Sequence, residues 1–344
     1  MYNIVSEKSI IQKSRIDWLD FAKGIGILCV VFGHTQIPYI SEYLIRPFHV
    51  PLFFFLSGFC FAVKKYNFKE FLSKKIKSLL MPYIFFSLIW IVYETINETI
   101  VNGFSFKFLL NEFKLYILQN HLHAIWFITC IFLLEMLAYI LVLVCKDKDC
   151  LLFALSLVFI VLSFLYKIYV DVKLIWNAEI VIPAMPYFLV GYIIKKNNHI
   201  FEKITVFKLI PLWFVSYVLL GYLNIKVSGR TVDMYSNCYG NIAIFYFAAF
   251  SGILFVVSLS KIIKRIGFVN YIGRNSLIIF SLHQIFIEIY RKIISHFELR
   301  SIEFVFGEFF IFVLSILLAI AFNEIIKKTP FVWFINGCNK HQKV

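Results

Sequence analysis

The sequence predicts an all-α, polytopic integral membrane protein with about ten transmembrane helices. Of its 344 residues, 61% are hydrophobic and only 16% are charged. A soluble domain of this length is far less apolar. The apolar residues also fall into stretches close to the roughly 20 residues that a helix needs to cross a bilayer. We therefore expect one membrane domain to take up nearly the whole chain.

The apolar stretches follow one another with short polar connections between them. Two prolines, Pro38 and Pro47, bound the hairpin between the first two stretches. Residues 97–121 keep only a broken helical rhythm, so we expect this segment to lie at the membrane interface. The ten predicted spans are residues 18–37, 46–63, 78–96, 122–145, 150–169, 176–194, 207–225, 239–259, 275–294 and 303–326.

Charge patterning predicts the orientation of these spans. A net charge of +14 could indicate a nucleic-acid partner. However, 24 of the 34 Lys and Arg residues fall in alternate short segments, which is the pattern of the positive-inside rule. We therefore expect no nucleic-acid partner, and both termini in the cytoplasm. The predicted organisation is a cytoplasmic tail at 1–14, a transmembrane domain at 15–330 and a second tail at 331–344.

The cysteines and the N-terminus carry no sign of secretion or metal binding. The seven cysteines are odd in number and show no metal-ligand spacing, so we expect free thiols and no metal. The first apolar stretch contains a histidine and lacks a small-residue cleavage site. We expect it to remain as the first helix rather than to be removed as a signal peptide.

The first helix, within residues 17–34, carries Asp20, Lys23 and His34. Ionisable side chains inside a membrane span are costly, and they usually mark functional sites. Lys23 and His34 are 11 residues apart, which places them only roughly 20° apart around the helix and about 16 Å apart along it. One helix face therefore connects a cation near one membrane surface to an imidazole deeper inside.

Histidines from other segments are expected near the level of His34. The first hairpin returns at this level and carries His49. The fourth span begins on the same side and brings His123 and Trp126, while the ninth places His283 near the midplane. Each could instead be an interfacial or packing residue.

Six motifs occur in an order that indicates a family. They are residues 17–34, FHVPLFFFLSGF (48–59), KKIKSLLMPY (74–83), HAIWFI (123–128), MPYFLVGY (185–192) and IGRNSLIIFSLH (272–283). With these motifs, about residues 15–330 resemble the acyltransferase-3 family. Within it they resemble the fucose 4-O-acetylase-like branch of sugar and polysaccharide O-acetyltransferases.

The resemblance implies an O-acetyltransferase of the bacterial cytoplasmic (inner) membrane, in which His34 occupies the position of the essential histidine. Acetyl-CoA would be the acyl donor and a carbohydrate or glycolipid the acceptor, with membrane lipids and polysaccharide-assembly proteins as further partners. A hydroxyl attacks a thioester well only when a base takes its proton. His34 could be that base or could carry the acyl group itself, and the sequence leaves both mechanisms open.

The resemblance places the donor site near a cation that family members carry eleven residues before the histidine. Here that residue is Lys23, which keeps the charge but lacks the planar fork of Arg. Lys75 and Lys77, in the basic segment after the second span, are expected to contact the phosphates of coenzyme A. Alternatively, Lys23 pairs with Asp20, and the basic segment serves topology and lipid contact. The expected supporting residues are Asp20, His49, Ser57, His123, Trp126 and His283.

Two other functions stay open at this point. Polysaccharide flippases, polymerases and secondary transporters also have many spans and buried charges, but the chain shows no inverted repeat. An acyltransferase that modifies a small metabolite would share the same catalytic residues.

Overall fold

The structure is a computed structural model that describes residues 16–36, 40–63, 66–119, 122–294 and 301–336. Within these ranges the chain is almost entirely helical, and the β-type pairing described is one isolated bridge between Asp233 and Cys238. The fold class expected from composition, an all-α protein, is confirmed. The expected tail at 1–14 and residues 337–344 of the second tail lie outside the described residues.

The helices are numbered here in chain order. They are α1 (Asp17–Gly33), α2 (Ile40–Ile45), α3 (His49–Cys60), α4 (Phe68–Lys75), α5 (Met81–Asn102), α6 (Phe106–Leu118), α7 (Trp126–Val144), α8 (Asp149–Tyr169), α9 (Ala178–Lys196), α10 (Asn198–Ile204), α11 (Ile210–Ser228), α12 (Ile242–Ile263), α13 (Gly267–Arg274), α14 (Ser276–Ile294), α15 (Ser301–Ile326) and α16 (Val332–Asn336).

Eight helical segments among the described residues are long and apolar enough to cross a membrane. Nine of the ten predicted spans coincide with a helix of at least 17 residues, and the span 46–63 coincides with α3, which has 12 residues and is one of the eight only as part of the longer segment Tyr43–Cys60. Two of the nine longer helices are not among the eight. The helix α1 has only 17 residues, and α14 carries Glu288, Arg291 and Lys292. The structure supports a polytopic membrane protein, while the number of ten spans and the orientation stay predictions.

Helices that face lipid account for much of the apolar composition. Along α8 and α11 most large apolar side chains are exposed, among them Phe153, Val161, Phe164, Val215 and Leu219. In water such a surface would be an aggregation site. In a bilayer it is the expected outer face, so the hydrophobicity of these stretches reflects lipid contact rather than a protein core.

Helices α3 and α9 form a close contact in the interior. A Cβ atom added to Gly58 would lie 1.9 Å from the carbonyl oxygen of Phe188, and one added to Gly191 would lie 2.2 Å from that of Phe55. Glycine at both positions lets the two backbones touch, as small residues do between membrane helices. Gly58 therefore serves the packing of α3 against α9.

A second close contact holds the N-terminal half of α1. Added Cβ atoms would lie 2.2 Å from the Val269 carbonyl oxygen at Gly24 and 1.8 Å from the Asp20 carbonyl oxygen at Gly273. Helix α13, which the sequence did not predict as a separate element, is thereby pressed against α1. The C-terminal half of α1 packs instead in an apolar cluster with α14 and α15, to which Ile27, Ile279 and Ile311 belong.

The connections contain more helix than the sequence predicted. Asn67 and Glu70 form a capping box at the start of α4, which continues through a π-helix at Ile76–Leu80 directly into α5. In the predicted interfacial segment 97–121, α5 runs on to Asn102 and α6 begins after the Ser105 cap. The break in rhythm is therefore the Gly103 turn, where φ is +83°.

Candidate active site

A cavity of about 360 Å³ lies at the end of the bundle where α1 stops. Its wall combines apolar and aromatic side chains with three imidazoles, an arginine, a carboxylate and an amide. Its polar and aromatic lining residues are His34, Arg46, His49, His123, Trp126, Asp233, Tyr235, Phe280 and Gln284. Four residues that the sequence singled out, His34, His49, His123 and Trp126, thus share one cavity although they come from separate segments.

The turn after α1 positions His34 through contacts from two later helices. Arg291 on α14 donates from Nη2 to the backbone oxygen of His34 at 3.1 Å and to Oε2 of Glu308 on α15 at 3.1 Å. The same Glu308 oxygen accepts the backbone N–H of Gln36 at 2.6 Å. An ion pair between α14 and α15 therefore holds the backbone on both sides of Thr35.

The His34 side chain is exposed to the cavity. Its Nδ1 lies 3.2 Å from Nε2 of Gln284, and its ring centroid lies 5.0 Å from that of His283 with a 51° tilt. The ring of His34 is thus in contact with that of His283 on α14. Gln284 was not singled out from the sequence, although it directly follows His283.

His283 is fully buried on α14. Its Nδ1 lies 2.8 Å from the Phe280 carbonyl oxygen and 3.0 Å from that of Ile279, so this nitrogen donates to its own helix. Among the described residues, none forms a hydrogen bond with Nε2 of His283. Buried polar atoms are normally hydrogen-bonded. A histidine that only packed between helices would not need a nitrogen without a partner next to His34, so we treat His283 as part of the site.

His49 begins α3 and lines the same cavity as His34. Its Nδ1 donates to the Ile45 carbonyl oxygen at 2.9 Å, which closes the turn between α2 and α3. Arg46, three residues earlier, contributes a guanidinium to the same wall. The sequence offered a signal for Arg46, since it is the one Lys or Arg between Lys23 and Lys64.

His123 sits in the turn before α7 with a left-handed backbone, φ = 44°. Its ring stacks on Trp90 with centroids 3.6 Å apart and an interplanar angle of 12°. Its Nε2 lies 3.3 Å from Oε1 of Glu94, and Glu288 on α14 lies 4.0 Å from Nδ1. His123 therefore joins the cavity wall to a cluster of carboxylates between α5 and α14.

Trp126 opens α7 and faces Tyr235 across the cavity, with ring centroids 6.0 Å apart. Tyr235 belongs to a turn in which the Asp233 carboxylate accepts the Tyr235 backbone N–H at 3.1 Å and the Ser236 hydroxyl at 2.6 Å. Sequence reasoning missed this turn because it lies in a connection without apolar periodicity.

The expected pairing of Lys23 with Asp20 is not found. Asp20 accepts a hydrogen bond from Nε of Arg274 on α13 at 3.0 Å, and Arg274 also lies 3.9 Å from Asp17. Lys23 is half-buried, and within the described part of the chain no ion pair includes it. Arg274 reaches Asp20 because the glycine contact between α1 and α13 brings the two backbones together.

Lys75 and Ser57 form a buried polar group with Glu135. Nζ of Lys75 lies 2.6 Å from Oε2 of Glu135, and the Ser57 hydroxyl donates to Oε1 at 2.8 Å. All three line a separate cavity of about 90 Å³ and none lines the His34 cavity. Lys75 already has a buried carboxylate partner, whereas Lys77 is exposed on the π-helix.

The helical architecture and the lined cavity define a polytopic membrane protein with one candidate reaction site at the end of its first helix. The chain belongs to the acyltransferase-3 family, since the Acyl_transf_3 model, described as an acyltransferase domain, matches residues 16–324. It is therefore a membrane acyltransferase. Searches of curated proteins and of solved structures give no significant match.

Proposed function

We propose that this acyltransferase moves an acetyl group from cytoplasmic acetyl-CoA to a hydroxyl of a cell-surface carbohydrate or glycolipid, in the bacterial cytoplasmic membrane. The observation that carries the proposal is the cavity that His34 lines together with Gln284, Trp126 and Tyr235, with the ring of His34 also in contact with that of His283. The sequence motifs of the fucose 4-O-acetylase-like branch support the same substrate class.

His34 is the residue that activates the acceptor. As the acceptor oxygen attacks the thioester carbon, its O–H bond breaks and His34 takes the proton. The C–S bond then breaks, and the proton passes to the thiolate. Such a base is worth about 10²- to 10⁴-fold in rate. If His34 first carries the acetyl group, the same nitrogen bonds to the acetyl carbon as the C–S bond breaks. The acceptor oxygen then attacks that carbon, and the C–N bond to His34 breaks.

The rest of the cavity suits a carbohydrate. Trp126 and Tyr235 offer ring faces on which the apolar face of a sugar can lie, while Arg46 and Asp233 supply polar groups at the wall. Pockets of this kind combine apolar surface with a few placed polar groups. His49 and His123 contribute nitrogens that can hold further hydroxyls.

The donor reaches His34 from the end where α1 begins. Lys23 is a half-buried cation on that end of α1, where it can meet a phosphate of coenzyme A. Lys77 is exposed and can contact the same phosphates at the surface. We no longer assign such a role to Lys75, because its ammonium group is held by Glu135.

The test replaces His34 by Ala in protein reconstituted into lipid nanodiscs. Labelled acetyl-CoA is the probe, and release of the coenzyme A thiol and label in the membrane carbohydrate fraction are measured. We expect His34→Ala to lower both by at least about 100-fold. The matched control is His199→Ala, which removes an exposed histidine on α10 and should leave both rates unchanged.

Two outcomes would contradict the proposal. One is a correctly inserted His34→Ala variant with wild-type transfer. The other is wild-type protein that never releases the thiol while it moves a glycolipid across the bilayer, which would favour a transporter.

A further inference from the structure

We propose that Gln284 is a positioning residue that sets the tautomer of His34, so that Nδ1 is the nitrogen that takes the proton of the acceptor hydroxyl. This inference deepens the proposed function and rests on it. It starts from two hydrogen bonds of one amide, made to partners from two different elements.

The orientation of the Gln284 amide follows from its first partner. Its Oε1 lies 2.5 Å from the backbone nitrogen of Ala124. A backbone N–H can only donate, so the atom facing it must be the carbonyl oxygen of the amide. The NH₂ group of Gln284 then points the other way, and the atom it meets is Nδ1 of His34 at 3.2 Å.

The tautomer of His34 follows from this second contact. The NH₂ group has no lone pair to offer, so Nδ1 of His34 must accept. A neutral imidazole whose Nδ1 accepts carries its proton on Nε2. In the resting protein, Nδ1 is therefore the basic and nucleophilic nitrogen of His34.

His283 has the opposite tautomer. Its Nδ1 donates to the Phe280 and Ile279 carbonyl oxygens, which leaves a lone pair on Nε2. That Nε2 is buried without a hydrogen-bond partner among the described residues. One ring of the pair thus carries an Nε2–H group and the other an Nε2 lone pair, at a centroid distance of 5.0 Å.

Gln284 also marks the place of the acceptor hydroxyl. Its amide lines the cavity together with His34, and it donates to Nδ1 with the same polarity that a hydroxyl would have. The hydroxyl displaces the amide N–H and its proton moves to Nδ1 as the C–O bond forms. The C–S bond then breaks with its electron pair on sulfur, and the Nδ1 proton passes to the thiolate.

The test exchanges the donor and acceptor roles at Nδ1 of His34 while it keeps the hydrogen bond from Ala124. In Gln284→Glu, one carboxylate oxygen can still accept from Ala124, and the other forces Nδ1 of His34 to donate. In Gln284→Met, both hydrogen bonds are lost at similar side-chain volume. The control is Gln36→Glu, which adds the same charge two residues from His34 on an exposed side chain.

The first readout is the ¹⁵N spectrum of labelled histidines, in which the His34 signals are identified by their loss in His34→Gln. We expect wild type to show a protonated Nε2 and an unprotonated Nδ1, and Gln284→Glu to show the reverse. We expect Gln284→Met to show a mixture and Gln36→Glu to match wild type. A protonated Nδ1 in wild type, or an unchanged tautomer in Gln284→Glu, would overturn the inference.

The second readout is the pH profile of kcat/KM for coenzyme A release. The other charged or titratable groups around His34 are His283 and Arg291 on α14 and Glu308 on α15, with Arg46, His49, His123, Asp233 and Tyr235 at the cavity wall. All of these stay unchanged in the variants. A carboxylate at Nδ1 of His34 stabilises the imidazolium, so His34 becomes neutral only at higher pH. We therefore expect the rising limb of the profile to shift to higher pH by about 1 to 3 units in Gln284→Glu. An unmoved limb contradicts the inference.

The two proposals fail separately. If His34→Gln keeps full transfer activity, His34 is not the base and the proposed function is wrong, whatever the tautomer is. If His34→Gln is inactive but Gln284→Glu keeps the wild-type tautomer and pH profile, only the role of Gln284 is wrong.

Discussion

Single residues in this protein have their chemistry set by partners far away in the chain. Lys75 and Lys77 are two positions apart and look alike in the sequence. In the structure, Lys75 lies 2.6 Å from the buried Glu135, whereas Lys77 is exposed. Because a charge removed from water needs a partner, the two lysines should respond very differently to the same substitution.

We predict that Lys75→Met lowers the free energy of unfolding by about 3 kcal/mol, since it leaves Glu135 buried without its cation. Lys77→Met should change it by less than about 0.5 kcal/mol. The measurement is denaturant unfolding of the purified variants in the same detergent. A Lys75→Met/Glu135→Leu double variant should recover most of the loss, and an equal effect of the two single variants would contradict the pairing.

Whole elements were the part of the fold that the sequence predicted best. Each of the ten apolar stretches became a helix, because hydropathy over about 20 residues is a local property. The short helices α10, α13 and α16 and the turn at 231–240 were missed, since their positions depend on what they pack against. In the contact between α3 and α9, the two backbones lie so close together that a methyl group does not fit between them.

We predict that Gly58→Ala destabilises the protein by about 1 to 3 kcal/mol. Its Cβ atom would lie 1.9 Å from the Phe188 carbonyl oxygen, a backbone atom that only a shift of α9 could move away. Gly267→Ala on α13 is the matched control, because no atom of the described residues lies within 4 Å of its added Cβ atom. Thermal unfolding in detergent compares the two, and a Gly58→Ala transition at the wild-type temperature would refute the prediction.

The whole molecule has two chemically different ends. The His34 cavity lies where α1 ends. The Asp20–Arg274 pair lies where α1 begins, and the Lys75–Glu135 pair lines a separate cavity. The distribution of Lys and Arg predicts that the beginning of α1 faces the cytoplasm. The donor and the acceptor would then approach His34 from opposite sides of the membrane.

We predict that this orientation can be read by cysteine labelling. In a background without the seven native cysteines, Lys69→Cys at the start of α4 and Asn102→Cys at the end of α5 report the two ends of one long helical segment. A membrane-impermeant maleimide should label position 102 in intact cells, and position 69 only after the membrane is opened. The reverse pattern would invert the orientation.

The sequence by itself determined the all-α membrane architecture, the positions of the long helices and the choice of His34, His49, His123, Trp126 and His283. Hydropathy and residue type are enough for these, because every membrane helix must satisfy its own backbone and face lipid with apolar side chains. Only the tertiary structure decided that the first four of these residues line one cavity and that His283 packs against His34. It also decided that Gln284 holds Nδ1 of His34, and that Asp20 and Lys75 belong to other contacts. The reason is that ion pairs and hydrogen bonds form between groups up to 272 positions apart, and no local pattern encodes such distances.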